Sequence, residues 1–148
     1  MQVEELSVIE RLWVDCQLPD LDGLYFPDGR SFEVFLDADS VSGIRFGESF
    51  DLDEVLAEGP DWVTDIGRNQ SVPLADGGFL WGGEGVSHGS YGFCGRLCAD
   101  RTLVWALFFE ESNPFTDIRV SGNTAVFRST SGVLITVDIS DPMRLGAG

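Results

Sequence analysis

The second half of the chain is built from short apolar segments that alternate with polar turns. Five such segments occupy positions 92–98, 103–109, 116–120, 124–128 and 133–139. In the last of them, every second residue from Val133 to Ile139 is β-branched and aliphatic, which places one face of a strand in a core. Short strands at this spacing with polar turns predict an antiparallel β-meander of about five strands.

The first half predicts two helices and a hairpin. Apolar residues at helical spacing over 3–13 predict an N-terminal helix. The turn Pro27-Asp28-Gly29 predicts a β-hairpin, because proline fixes φ and glycine accepts a positive φ; 44–46 continues as a short strand. Asp51 as N-cap, an apolar stripe and a Gly59-Pro60 stop predict a short acidic helix. The expected fold is a single, predominantly β, α+β domain over 1–148.

Acidic residues are concentrated at one end of the chain. The nine basic residues are all arginine, against 25 Asp and Glu, for a net charge of −16. Residues 1–61 hold 16 acids and three arginines, a net of −13, whereas 62–148 hold nine acids and six arginines, a net of −3. Salt adaptation of a whole proteome also produces acidic chains, but it spreads acids over every exposed face. The gradient favours a dedicated acidic surface that attracts a positively charged partner.

Composition excludes several classes of ligand and location. Direct nucleic-acid binding requires clustered Lys or Arg to neutralise phosphates, and the arginines here are scattered. No apolar run approaches the ~18–20 residues of a membrane helix, and the acidic N-terminus does not resemble a signal peptide. Three cysteines are an odd, sparse set that favours a reducing compartment. We therefore expect a cytoplasmic protein that does not bind membranes.

One short segment matches a catalytic motif but lacks its context. Gly85-Val86-Ser87-His88-Gly89 has the G-x-S-x-G spacing of a nucleophile elbow. The chain contains a single histidine, and it occupies the variable position of the motif, so no second histidine can act as the base. The segment is predicted to be a polar loop between strands.

Metal and phosphate sites are not expected either. If 92–98 is a strand, Cys94 and Cys98 lie about 13 Å apart, which is too far to share one zinc ion or a disulfide. Both are predicted to be structural thiols on one face of that strand. Residues 37–48 lack the oxygen ligand and the glycine that a calcium loop needs at its fifth and sixth positions. A chain without lysine has no P-loop, and we expect no cofactor.

The leading functional hypothesis is an acidic, non-enzymatic, intracellular binding protein that captures a basic partner protein through residues 48–62. Its most concrete form is an immunity or antitoxin-like inhibitor of a bacterial effector. The hypothesis expects the acids of this region to form one contiguous face. The predicted contact residues are Glu48, Asp51, Asp53, Glu54, Glu58, Asp61 and Trp62.

Two alternatives remain open. The first is a small enzyme or ligand-binding domain with its site at the glycine-rich loop 82–92, which offers Glu84, Ser87, His88, Ser90 and Tyr91. That alternative expects His88 to line a cleft. The second is a structural or accessory domain without a dedicated site. The carboxylates Asp100, Glu110 and Glu111 are also available for acid–base chemistry, but nothing in the sequence brings two of them together.

Overall fold

The computed structural model describes residues 6–146, with the side chains of 6–144. Three helices and eleven strands form within this range. In chain order they are α1 (Val8–Val14), β1 (Gln17–Pro19), β2 (Gly23–Tyr25), β3 (Ser31–Leu36), β4 (Ile44–Phe50), α2 (Leu52–Glu58), β5 (Val63–Pro73), β6 (Phe79–Gly85), β7 (Gly92–Leu97), β8 (Leu103–Phe109), β9 (Phe115–Ser121), β10 (Thr124–Ser129), β11 (Leu134–Asp138) and α3 (Met143–Gly146).

The described strands form two antiparallel sheets. The larger has eight strands in the order β1-β5-β6-β7-β8-β2-β3-β4, and the smaller has three in the order β11-β10-β9. Strand β8 is buried on both faces. Trp105 and Leu107 belong to the apolar cluster that includes the smaller sheet, whereas Ala106 and Phe108 belong to the cluster that includes α1 and α2. This two-sided burial explains why β8 is a continuous apolar run rather than an alternating one.

The local signals of the first half predict α1, the β2–β3 hairpin and α2, but not strand β1. Helix α1 begins after Ser7, whose hydroxyl accepts from the Glu10 amide in a capping box; the first part of the predicted helix, residues 3–5, lies outside the described residues. The predicted hairpin is confirmed, with β2 antiparallel to β3 and Gly29 at a φ of 98° in the turn. Helix α2 is confirmed too, with Asp51 as its N-cap.

The five segments predicted as one meander are all strands, β7 to β11, but they are divided between two sheets, and six further strands form within residues 6–146. Strands β7 and β8 lie in the larger sheet, whereas β9, β10 and β11 form the smaller one. Within the last strand the predicted alternation is confirmed, since Ile135 and Val137 are fully buried and Leu134 is exposed. The chain therefore leaves the first sheet after β8 and folds a three-stranded meander across it.

The glycine-rich stretch, predicted to be a loop over 82–92, is mostly strand. Gly82–Gly85 belong to β6 and Gly92 opens β7, so only residues 86–91 connect the two strands. Glycine is required here by close packing: a Cβ at Gly83 would lie 2.0 Å from the carbonyl oxygen of Gly67 on β5. Glycine is normally depleted in strands, which is why the pattern indicated a loop.

Both halves of the chain contribute to the larger sheet. Strand β1 pairs with β5, with Leu18 opposite Thr64, and β2 pairs with β8, with Leu24 opposite Leu107. Two strands of the described segment 6–61 therefore pair with strands from the remainder of the chain. None of the helices in the described range has the length and apolar character needed to cross a bilayer.

Candidate functional site

The acidic residues around α2 are all exposed. We call these six acids, together with the neighbouring Trp62, the acidic α2 surface. Its residues are Glu48, Asp51, Asp53, Glu54, Glu58, Asp61 and Trp62. Within residues 6–146 no ion pair joins its six carboxylates to an arginine, because the five ion pairs there use Asp28, Asp37, Asp76, Asp117 and Asp138. None of these six carboxylates therefore forms an ion pair with an arginine in the described part of the chain.

Local sequence fixes how α2 presents these residues. Asp51 accepts a hydrogen bond from the Glu54 amide at 3.3 Å and so starts the helix. Leu52 is buried, and the half-buried Leu56 packs against the same apolar cluster. The charged positions consequently face outward. Asp53 also borders the cleft between α2 and the start of α1, where Arg11 lies.

Trp62 lies at the end of this surface with 53% of its area exposed. It stacks against the backbone of Gly59, since a Cβ at that position would lie 2.4 Å from the indole ring. Gly59 therefore ends α2 and, because it has no side chain, also leaves space for the Trp62 ring. Tryptophan is enriched among the residues that contribute most of the binding energy at protein interfaces.

A second group of carboxylates, which the sequence did not reveal, lies where β2 meets β8. Asp22 Oδ1 accepts from the Glu110 amide at 2.7 Å, and Asp20 Oδ2 accepts from the Tyr91 hydroxyl at 2.9 Å. Asp20 Oδ1 is buried and has no hydrogen-bond partner in the described part of the chain. Two negative residues, Asp20 and Glu111, also act electrostatically on Asp22. We call Asp20, Asp22, Glu110 and Glu111 the carboxylate cluster.

The pKa values in the carboxylate cluster reflect its crowding. Burial raises the pKa of Asp22, and the charges of Glu111 and Asp20 raise it further, against the lowering effect of the hydrogen bond from Glu110. Burial and the charges of Asp22 and Asp20 likewise raise the pKa of Glu110. Burial, followed by the hydrogen bond to Asp20, raises the pKa of Tyr91. In all three groups burial is the largest cause of the raised pKa, and the neighbouring carboxylates add to it.

The topology explains why this cluster was missed. Asp20 and Asp22 lie between β1 and β2, and Glu110 directly follows β8, almost ninety positions later. They meet only because β2 is inserted between β8 and β3, with Gly23 opposite Phe108. The acids that flank both apolar segments were visible in the sequence, but the pairing of those segments was not.

A groove runs from the carboxylate cluster to α2. Its cavity volume is about 340 Å³, and we call it the β3–α2 groove. Apolar side chains form most of the wall, and two carboxylates interrupt it. The residues that line it are Leu21, Asp22, Glu33, Val34, Phe35, Phe50 and Val55.

The alternative site at 82–92 lies next to the carboxylate cluster, because the Tyr91 hydroxyl donates to Asp20. The Ser87 hydroxyl lies 2.8 Å from the Thr64 hydroxyl, and the His88 ring lies 4.9 Å from the Tyr91 ring. Ser87, His88 and Ser90 are exposed, Glu84 is half-buried on β6, and Tyr91 is buried. Five of the best-formed cavities within residues 6–146 do not have His88 in their walls.

Neither the cysteine thiols nor residues 37–48 belong to a metal-binding group within the described residues. Cys94 is fully buried in β7, and burial raises its pKa. Cys98 lies beyond the end of β7 and is exposed, so the prediction that both thiols share one face of a strand is wrong. Both are free thiols. Residues 37–43 form a turn between β3 and β4, and no group of three His, Cys, Asp or Glu side chains in the described range has metal-binding geometry.

Comparisons of the chain with protein-family models, with curated proteins and with solved structures give no match. The function is therefore inferred from the geometry and charge of the acidic α2 surface, the carboxylate cluster and the groove between them.

Asp22→Asn is expected to stabilise the protein at neutral pH. A carboxyl whose folded-state pKa is raised favours the fold below its unfolded pKa, and that contribution is lost as pH rises through the folded value. Asparagine keeps an oxygen for the Glu110 amide and removes the charge. Thermal unfolding at pH 7 should show a Tm about 2 °C higher, a small effect because Asp22 is only partly buried.

The same comparison at pH 3 should show little difference, because Asp22 is then protonated in both the folded and the unfolded chain. Asp39→Asn is the matched control, since Asp39 is exposed in the β3–β4 turn and its side chain lies outside the groove. A lower Tm for Asp22→Asn than for the wild type at pH 7 would contradict the interpretation of this cluster as crowded negative charge.

Proposed function

We propose that the protein is a non-enzymatic, cytoplasmic binding protein that captures a basic partner protein through the acidic α2 surface. An immunity or antitoxin-like inhibitor of a bacterial effector is the concrete form of this proposal. The observation that carries it is that six exposed carboxylates around one short helix have no arginine partner within residues 6–146.

Two physical features support a role in association. Uncompensated charge of one sign steers an oppositely charged partner during encounter and raises the association rate. Binding energy, in contrast, concentrates in a few desolvated anchors, for which tryptophan is favoured. Trp62 supplies such an anchor at the end of the surface, because half of its area is exposed and its ring rests against Gly59.

The salt dependence of association tests this proposal. We expect the association rate constant with the basic partner to fall at least about tenfold between 0.05 M and 1 M salt, because the Debye length shortens to ~3 Å. The dissociation rate should change much less, since a packed apolar contact is barely screened. Stopped-flow fluorescence with a purified basic protein that co-purifies with the wild-type chain gives both rates.

An association rate that does not respond to salt would show that the acidity serves solubility alone, and the proposal would then fail. The experiment requires a complex that forms at low salt with defined stoichiometry. A basic protein that binds equally well to any polyanion, such as a polyglutamate control, also counts against a specific inhibitor.

A further inference from the structure

The β3–α2 groove joins apolar walls to an acidic end. Phe35 and Phe50 line its sides, Val55 of α2 closes it on one side, and Asp22 of the carboxylate cluster lies at another edge; Val34 borders it from β3, with its side chain buried in the core cluster on the other face. Its volume of about 340 Å³ is at the lower end of the range for sites that hold small ligands or single side chains. A groove of this kind fits a group that is apolar along its length and positively charged at its tip.

The acidic groups at the groove have no cation partner. Glu33 Oε1 accepts from the Glu48 amide at 3.0 Å, which links the groove to the acidic α2 surface. Asp22 accepts only a backbone amide. The adjacent strand β4 carries Arg45. Its guanidinium stacks on the Phe35 ring at 4.6 Å and forms an ion pair with Asp37 rather than with Asp22 or Glu33. No ion pair in the described range uses Asp22 or Glu33.

We propose that the β3–α2 groove binds an arginine side chain of the basic partner, which makes it the specificity pocket of the acidic α2 surface. This inference rests on the proposed function, since the arginine must come from that partner. The methylene stem of arginine packs along apolar walls while its guanidinium reaches carboxylates. The planar guanidinium also stacks on aromatic rings, as Arg45 already does on Phe35.

Other occupants fit less well. An aliphatic or aromatic side chain would desolvate Asp22 and Glu33 without supplying a partner for their charge, which is costly. A metal ion needs several converging ligands, and the described residues hold no group of three side chains with that geometry. Lysine matches the charge, but it lacks the flat face that stacks on an aromatic wall.

Titration with N-acetyl-arginine methylamide tests the groove without the partner. Amide chemical shifts of the 15N-labelled protein at low salt should move at Asp22, Val34, Phe35, Phe50 and Val55. We expect weak, millimolar binding that Asp22→Asn lowers at least about fivefold, whereas Asp39→Asn lowers it less than about twofold. Glu33→Gln is a second variant at the groove and should weaken binding in the same direction.

N-acetyl-norleucine methylamide is the matched probe, because it keeps an aliphatic stem and lacks the guanidinium. Equal binding of the two probes would overturn the assignment to arginine. Shifts spread over all acidic residues, or equal losses for Asp22→Asn and Asp39→Asn, would overturn the groove as the site. The probe titration does not involve the partner, so the two proposals are tested separately. Lack of probe binding at the groove would not affect the salt dependence of partner association. An association rate that does not respond to salt would not affect the probe result.

Discussion

Replacing Asp53, Glu54 and Glu58 together by arginine is expected to lower the association rate constant with the basic partner about 10- to 100-fold at low salt. The three side chains are exposed on α2, so their reversal turns attraction into repulsion during encounter. The loss should shrink as salt rises, because screening removes attraction in the wild type and repulsion in the variant. Stopped-flow measurements across a salt series provide the test.

A matched variant separates this surface from net charge. Reversing Asp15, Asp39 and Asp65, which are exposed and lie outside the acidic α2 surface, changes the net charge from −16 to −10, as the α2 variant does, because each substitution adds two positive units. We expect its association rate to fall less than about threefold. Equal losses in the two variants would mean that total charge, rather than α2, attracts the partner.

Folding of the α2 variant needs its own check. Arginine in the first turn opposes the helix dipole, at a cost of about 0.3–1 kcal/mol per charge. The N-cap Asp51 and the buried Leu52 are retained, so the helix keeps its start and its packing. Circular dichroism and thermal unfolding should show a folded protein under the conditions of the kinetic experiment.

Trp105→Ala is expected to have the largest effect on stability, a loss of about 3–5 kcal/mol in the free energy of unfolding. Trp105 is fully buried on β8, and its indole nitrogen donates to the Ile139 carbonyl at 3.0 Å. Alanine would leave a cavity between the two sheets, whereas the Ile139 carbonyl would still accept from Arg96 at 3.0 Å. Urea unfolding should show a large fall in the midpoint, which Trp105→Phe should restore in part.

Trp62→Ala tests whether Trp62 contributes to the stability of the fold or to the binding of a partner. Because the Trp62 ring is half exposed, its removal should cost less than about 1 kcal/mol in unfolding free energy. Its effect should appear in the dissociation rate of the partner complex instead. If Trp62→Ala destabilised the fold as much as Trp105→Ala, Trp62 would be a core residue rather than an anchor for a partner.

The parts of the fold that follow short-range rules were predictable. Asp51 and Gly59 mark both ends of α2 because capping and termination depend on residues within one turn. The β2–β3 hairpin follows in the same way from a turn of three residues. The exposed carboxylates of α2 follow from these elements, since the apolar stripe decides which side faces outward.

Features that depend on long-range pairing were not predictable. Strand β6 carries glycines that weaken a strand signal, and only the approach of Gly67 on β5 explains them. Strand β1 is three residues long and gives almost no pattern. The carboxylate cluster requires β2 to lie beside β8, and that placement is set by burial on two faces of the sheet rather than by any local motif.

The pairing of β2 with β8 also affects the order in which the chain folds during its synthesis on the ribosome. Leu24 pairs with Leu107, so β2 and its hairpin partner β3 emerge long before the strand that anchors them. Sheets with such distant pairings fold slowly, because the entropy of a long loop is lost before the stabilising contacts between its ends form. The acidic residues of the first half are therefore synthesised well before β8, and the carboxylate cluster can form only after Glu110 has emerged.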